Sequence, residues 1–149
     1  GKDLIVPRGG LRSGNDLEGG EESDPVARGL EPSRWDLFMN GPAIFNFTLR
    51  VVPPCVEQVA AKSGVDLEKV DLFVFHQANK FMLTHLAKKV GVPAEKLYVC
   101  MEDSGNTVSA TIPIALGDAL QKGAATPGMK VMLVGFGVGL SWGGLIATI

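Results

Sequence analysis

Two short stretches carry the residue types that do chemistry. The first is Leu72-Phe73-Val74-Phe75-His76-Gln77-Ala78-Asn79-Lys80, an apolar run that stops at an imidazole, with two carboxamides and a lysine behind it. The second is Ser104-Gly105-Asn106-Thr107, where a carboxamide follows a second apolar run. Each reads as strand, polar tip, helix. Open α/β sheets hold their ligands at the C-terminal tips of strands. A neutral imidazole at such a tip can donate a hydrogen bond to a developing oxyanion, or move a proton. The plainer readings stand beside these: His76 as a satisfied structural residue, and Asn106 as a helix N-cap. If both side chains face one pocket, two uncharged donors aimed at one oxygen would stabilise an enolate or a tetrahedral oxyanion.

Other candidate chemistries fare less well. His76 and His85 lack the spacing of a helical metal-binding pair, and no carboxylate cluster accompanies them, so no metal is expected. A Cys–His dyad needs a thiol beside the imidazole. Cys55 follows two prolines in a helical pattern and Cys100 lies in a strand pattern, so both read as small core residues. Gly135-Phe136-Gly137-Val138-Gly139 invites comparison with a dinucleotide fingerprint, but that motif must run from a strand into a helix. Here it runs into Ser141-Trp142-Gly143-Gly144-Leu145, a second strand pattern. A tight glycine hairpin lets backbone amides approach a ligand, which suits an oxyanion hole. Lys80, Lys88 and Lys89 share a helical region and read first as a solvated face, or as a shallow patch for an anionic partner.

The elements that position these tips follow from periodicity and turn residues. Residues 1–34 are Gly-, Asp-, Glu-, Ser- and Pro-rich and are expected to be mostly a surface loop, partly mobile, with a short extended piece at Lys2–Pro7. Trp35–Phe38 predicts a short strand, stopped by Met39-Asn40-Gly41-Pro42. A helix begins near Pro42 and carries an apolar stripe through Val59 and Ala60 to a glycine stop at Gly64. Pro53-Pro54 should interrupt or kink it. Val70–Phe75 predicts a strand apolar on both faces, as in a buried parallel sheet. Asn79–Val90 predicts an amphipathic helix with Phe81, Met82, Leu86 and Val90 inward, and Leu97–Met101 a further strand. Ser109–Lys122 predicts a helix, and Met129–Phe136 and Leu140–Ile149 two strands too close for a crossover, hence an antiparallel hairpin. The βαβ units imply a layered α/β sheet.

Composition bounds the function class. The 149 residues are 46% hydrophobic and 20% charged with a formal net charge of −2, which gives no basic face for nucleic acid. No apolar run approaches a membrane span, and no signal-peptide architecture opens the chain. Two cysteines make no disulfide framework, so a cytoplasmic location is expected.

In register, His76-Gln77-Ala78-Asn79, Gly105-Asn106-Thr107 and Gly135-Phe136-Gly137-Val138-Gly139-Leu140-Ser141-Trp142-Gly143 resemble β-ketoacyl-[acyl-carrier-protein] synthase III of the thiolase superfamily. Met39-Asn40-Gly41 and the following Phe45-Asn46-Phe47 resemble the same family's C-terminal half, so the resemblance runs from about residue 35 to 149. It implies an α/β fold that is the C-terminal half of a thiolase-like fold: a layered mixed sheet with helices, ending in an antiparallel β-hairpin. It also implies residues 35–149 as the condensing-enzyme domain. The implied reaction, in fatty-acid synthesis, is a decarboxylating Claisen condensation of an acyl-coenzyme A with malonyl-acyl carrier protein. The family's catalytic histidine and asparagine match His76 and Asn106, which are implied to hold the malonyl thioester oxygen as the enolate forms. The backbone amide matching Val138 is implied to serve the acyl oxyanion. Met39, Gly41, Ala78, Asn79 and Phe136 fall at substrate-lining positions, and Lys80, Lys88 and Lys89 at positions implied to meet the acidic carrier protein. Two positions after Asn79 the family often has arginine, and here stands Phe81. No cofactor is implied beyond the coenzyme A thioester as substrate, and a homodimer is.

The family's nucleophilic cysteine belongs to an N-terminal half that these residues do not match. The expectation is therefore a C-terminal part that lacks the nucleophile and is inactive alone. Two other classes remain open at this point: a same-fold acyltransferase forming esters or amides, and a non-catalytic partner module.

Overall fold

A stretch with no polar face can only be a strand covered on both sides, and Leu72–Phe75 is one, buried at every position. The computed structural model describes residues 4–5, 38–137 and 140–149. In chain order the elements are β1 (Leu4–Ile5), β2 (Phe38–Met39), α1 (Gly41–Ser63), β3 (Leu72–Phe75), α2 (Lys80–Val90), α3 (Thr111–Gln121), β4 (Lys130–Gly137) and β5 (Ser141–Thr148). Single 3-10 turns stand at Leu67–Lys69, Ala94–Lys96 and Val108–Ala110. The chain divides into two compact units, Gly1–Ile44 and Phe45–Ile149.

In the first unit, β1 and β2 pair antiparallel, Leu4 opposite Met39 and Ile5 opposite Phe38. The Asn40 side chain accepts from the Ala43 amide at 3.1 Å and so caps the start of α1. Of the strand expected at Trp35–Phe38, only Phe38 lies within the described residues. The loop expected through residue 34 falls outside them, Leu4–Ile5 aside.

The second unit is a sheet in the order β3-β4-β5, with β3 parallel to β4 and β5 antiparallel to it. Alternation sorts its side chains. Phe73, Phe75, Met132, Val134 and Phe136 join one core cluster with α1 and α2, while Leu72, Val74 and Val131 join a second with Ala115 and Ala119 of α3. The result is helix, sheet, helix in three layers. The expected hairpin is present, with register from Lys130 opposite Thr148 to Gly137 opposite Ser141. Close packing of α1 on the sheet uses Gly144, where a Cβ would meet Leu133 O at 2.8 Å and Val59 Cγ2 at 3.2 Å.

Three expectations need correction. First, α1 runs unbroken for 23 residues through Pro53 and Pro54. Each proline removes a donor that would have met a carbonyl one turn back, a defect of roughly 3 kcal/mol or more in an isolated helix. Val51, Val52, Cys55 and Val56, all buried around the prolines, hold the helix in place by packing. Second, Leu97–Met101 is not a strand. Leu97 makes a single parallel bridge to Phe73, and the Tyr98 amide donates to Phe73 O at 2.9 Å. Beyond it the side chain of Gln77 takes over the pairing, as described below. Third, Phe81 is 64% exposed. The buried stripe of α2 is Met82, Leu83, Leu86 and Ala87, which turns Phe81 and His85 to the outside, where their rings lie 4.1 Å apart. Phe45 stacks on Phe81 at 5.6 Å.

Candidate active site

His76 is placed by the sheet. Its amide donates to Val134 O at 2.8 Å, extending the β3–β4 ladder one residue past the end of β3. The half-buried ring meets Phe136 edge-on at 5.2 Å, with the planes 89° apart. Its Nδ1 lies 2.6 Å from Thr111 Oγ1 at the start of α3. Burial holds the imidazole below its ordinary pKa of 6.5, while a hydrogen bond to the Val108 backbone works the other way. The ring is therefore neutral at neutral pH, the state a hydrogen-bond donor to an enolate needs.

Gln77, the first of the two carboxamides behind the imidazole, adds no donor to the site. It is 1% exposed and its carboxamide is fully committed. Nε2 donates to Phe75 O at 2.7 Å and to Tyr98 O at 3.3 Å, and Oε1 accepts from the Cys100 amide at 2.8 Å. A side-chain amide thus stands in for a backbone peptide and latches residues 98–100 to the tip of β3. Asn79 caps α2, its Oδ1 accepting from the Met82 amide at 2.8 Å. Ala78 is half-buried and packs on the larger core cluster.

The second tip is built differently. Gly105 takes φ +62°, and its amide donates to Met101 O at 2.9 Å. Asn106 is exposed, with Oδ1 accepting from the Val108 amide at 2.9 Å. With that oxygen engaged, the two N–H groups are the remaining donors of the side chain. Val108 sits at φ +57°, a conformation that a β-branched residue rarely adopts. Its carbonyl accepts from the Thr111 hydroxyl at 3.0 Å and from the Thr111 amide. A continuous path of contacts runs from His76 through Thr111 and Val108 to Asn106 and joins the two tips. Beside it the Thr107 hydroxyl oxygen is buried with no hydrogen-bond partner. Neither Thr111 nor Val108 stands out in the sequence, where they read as ordinary residues of a helix start.

The remaining candidates are spread out. Val138 lies outside the described residues; the flanking Gly137 and Leu140 have φ of +152° and +52°. Phe136 stands against His76. Met39, 60% exposed, and Gly41 belong to the first unit. Lys80 lies 4.0 Å from Glu102, and Lys88 and Lys89 are exposed in the last turn of α2, where a helix C-terminus favours positive charge in any case. Among the described residues no three His, Cys, Asp or Glu side chains group as a metal site, and no helix is long and apolar enough to cross a membrane.

Neither cysteine has a nucleophile's setting, which calls for a depressed thiol pKa. Burial pushes the buried Cys55 thiol up. Cys100 is also pushed up, first by burial and then by Asp118.

Known proteins resemble this chain in sequence and in fold. The chain is 40% identical over 142 residues to the β-ketoacyl-[acyl-carrier-protein] synthase III of Symbiobacterium thermophilum, covering 95% of this chain and 40% of that one. It is 35% identical over 144 residues to the enzyme of that name from Nitratidesulfovibrio vulgaris, covering 95% and 43%. Among solved structures, a 3-oxoacyl-(acyl-carrier-protein) synthase III superposes with a TM-score of 0.89 at 39% identity, covering 99% of this chain and 44% of the other. A 3-oxoacyl-(acyl-carrier protein) synthase from Burkholderia xenovorans gives 0.83 at 38%, covering 99% and 40%. The chain thus spans about two fifths of the length of these relatives. The fold is thiolase-like, its three-stranded mixed sheet ending in the antiparallel hairpin described above. A family model described as 3-oxoacyl-[acyl-carrier-protein (ACP)] synthase III C terminal matches residues 60–149, and the chain belongs to that family.

Proposed function

We propose that this chain is the C-terminal part of a fatty-acid-synthesis condensing enzyme. In it, His76 and Asn106 hold the malonyl thioester oxygen while carbon dioxide leaves. Loss of carbon dioxide puts a negative charge on that oxygen as the enolate forms. Two uncharged donors stabilise the charge without first binding it as a tight ion pair in the ground state. The observation that carries the reading is the neutral, half-buried imidazole at the tip of β3, tied through Thr111 and Val108 to the Asn106 turn. The enolate carbon then attacks an acyl thioester held on a cysteine. Both thiols of this chain are raised, so the proposal assigns that cysteine to the part of the relatives' length that this chain does not match. By itself the chain would bind but not condense.

The proposal places the Val138 amide at the acyl oxyanion. It places Met39, Gly41, Ala78, Asn79 and Phe136 along the coenzyme A or carrier thioester, and Lys80, Lys88 and Lys89 against an acidic carrier protein. Acyl-coenzyme A and malonyl-carrier protein would be the substrates, no cofactor would be needed, and the working enzyme would be a cytoplasmic homodimer.

The test uses the full-length protein that contains this chain. His76→Ala and Asn106→Ala should each lower malonyl decarboxylation and condensation by on the order of 10²–10³, the loss typical of one oxyanion donor. Loading of labelled acyl groups onto the enzyme should persist. Condensation that survives both substitutions, with transfer to an alcohol or amine acceptor intact, would overturn the reading in favour of a non-condensing acyltransferase.

A further inference from the structure

An exposed apolar side chain is ordinary when single and informative when several gather. Three rings gather on the outer side of α2. Phe81, 64% exposed, has its ring centroid 4.1 Å from that of His85 and 5.6 Å from that of Phe45. Phe45 and His85 stand 5.9 Å apart, so each ring packs on the other two. The His85 Nδ1 also lies 2.9 Å from Phe81 O, one helical turn back. Phe45 is half-buried and roots the group in the larger core cluster. The Phe81 ring is thus held in place before anything meets it, which lowers the entropic cost of binding there.

The surroundings are positive. Helix α2 carries Lys80, Lys88 and Lys89 and no carboxylate. Among the described residues neither Lys88 nor Lys89 forms an ion pair, and Glu102 reaches Lys80 only at 4.0 Å. Strand β5 is the contrast. Its Trp142 and Leu145 are each 52% exposed, but Ser141–Thr148 holds no charged residue. An uncharged apolar face suits a permanent contact. An apolar centre with a charged rim suits a partner that comes and goes.

We propose that the Phe81 ring, backed by Phe45 and His85, is the apolar anchor on which an acidic acyl carrier protein docks, with Lys80, Lys88 and Lys89 steering it rather than holding it. This rests on the carrier-protein contact of the proposed function and changes its basis, since lysines alone would make docking a salt-sensitive encounter. Exposed rim charges act mainly on the association rate, whereas one well-placed aromatic side chain carries a large share of the affinity.

The experiment measures binding of the same organism's acyl carrier protein to the full-length protein that contains this chain. It is done at about 0.1 M and about 1 M salt, where screening lengths are about 10 Å and about 3 Å. Phe81→Ala should raise Kd by about tenfold to thirtyfold at both concentrations, the loss typical of an aromatic hot spot. Phe81→Leu, which keeps an apolar side chain, should recover most of that loss. Lys88→Ala combined with Lys89→Ala should raise Kd severalfold at the lower salt and hardly at all at the higher, through the association rate. An unaltered Kd in Phe81→Ala overturns the proposal. So does binding by the unsubstituted protein that vanishes at the higher salt, because charge would then be holding the complex. A Phe81→Ala protein that also melts at a markedly lower temperature overturns it too, because the ring would then pack against the rest of the full-length protein. In each of these outcomes the carrier protein still binds the unsubstituted protein at the lower salt, and the proposed function stands. A carrier protein that does not bind the unsubstituted protein overturns both. Failure of the His76 and Asn106 test leaves the docking measurement intact.

Discussion

The two tips look alike as residue patterns and are held by different physics. The His76 tip ends a fully buried strand, its backbone fixed by the β4 ladder and its neighbour Gln77 sealed in the interior. The Asn106 tip follows no strand, is exposed, and keeps its shape through one side-chain acceptor, a left-handed glycine and a strained valine. A tip anchored in a sheet can be precise without local strain. A tip on the surface must be wound into shape by local contacts. Changes at the first should therefore reach the fold, and changes at the second should stay local.

The sharpest way to break that contrast is Gln77→Leu. The substitution keeps the bulk but removes one acceptor and two donors. It leaves the Cys100 amide and the Tyr98 and Phe75 carbonyls without those partners. An orphaned buried group costs about 1–3 kcal/mol, and with several involved the expected loss is about 2–4 kcal/mol. A shift of the urea midpoint at constant m value would report it. Amide exchange at Cys100 should accelerate more than at Gly105. If the midpoint hardly moves, the latch between β3 and residues 98–100 is not what holds the first tip.

A second test uses the fact that only the first tip titrates. The folded pKa of His76 lies below its unfolded value, so the folded state binds fewer protons as pH drops. Its contribution to stability is present above about pH 6.5 and is lost as pH falls through the lower folded value. His76→Phe, which keeps an aromatic ring against Phe136, should flatten stability against pH across that window, while Asn106→Ala should leave the curve unaltered. Parallel curves for the His76→Phe and unsubstituted proteins would mean that the ring is not desolvated in solution.

These contrasts also mark what the amino-acid pattern could and could not reveal. Strand β3, the hairpin and the glycine that ends α2 were legible because each follows from a periodicity or a turn residue acting locally. The failures are all cases in which a partner distant in sequence decided the outcome. Leu-Tyr-Val-Cys has strand propensity, but propensity does not reveal that the partner edge would be a glutamine side chain. Phe81 reads as inward because it is aromatic, yet the stripe formed by its neighbours turns it out beside Phe45. Pro53-Pro54 reads as a break because the packing that holds α1 together lies in other elements. At the site, His76 and Asn106 stood out by type and spacing, whereas Thr111 became visible only when α3 brought its hydroxyl to the ring.

The smallest expected effect comes from the strained residue of the second tip. Val108 is 61% exposed and holds φ +57°, so its side chain gains little from burial while its backbone bears the left-handed conformation. That conformation costs a non-glycine residue roughly 1–2 kcal/mol. Glycine removes the strain but loses more backbone entropy on folding, roughly 0.5–1 kcal/mol. Val108→Gly should therefore stabilise the protein slightly, by up to about 1 kcal/mol in urea denaturation. The same freedom loosens the turn that fixes Asn106, since the Val108 amide is what holds Oδ1. In the full-length protein, condensation should then fall severalfold as stability rises, the trade expected where strain serves a site. A variant that loses stability instead would show that the valine side chain packs usefully, and that the second tip depends on burial after all.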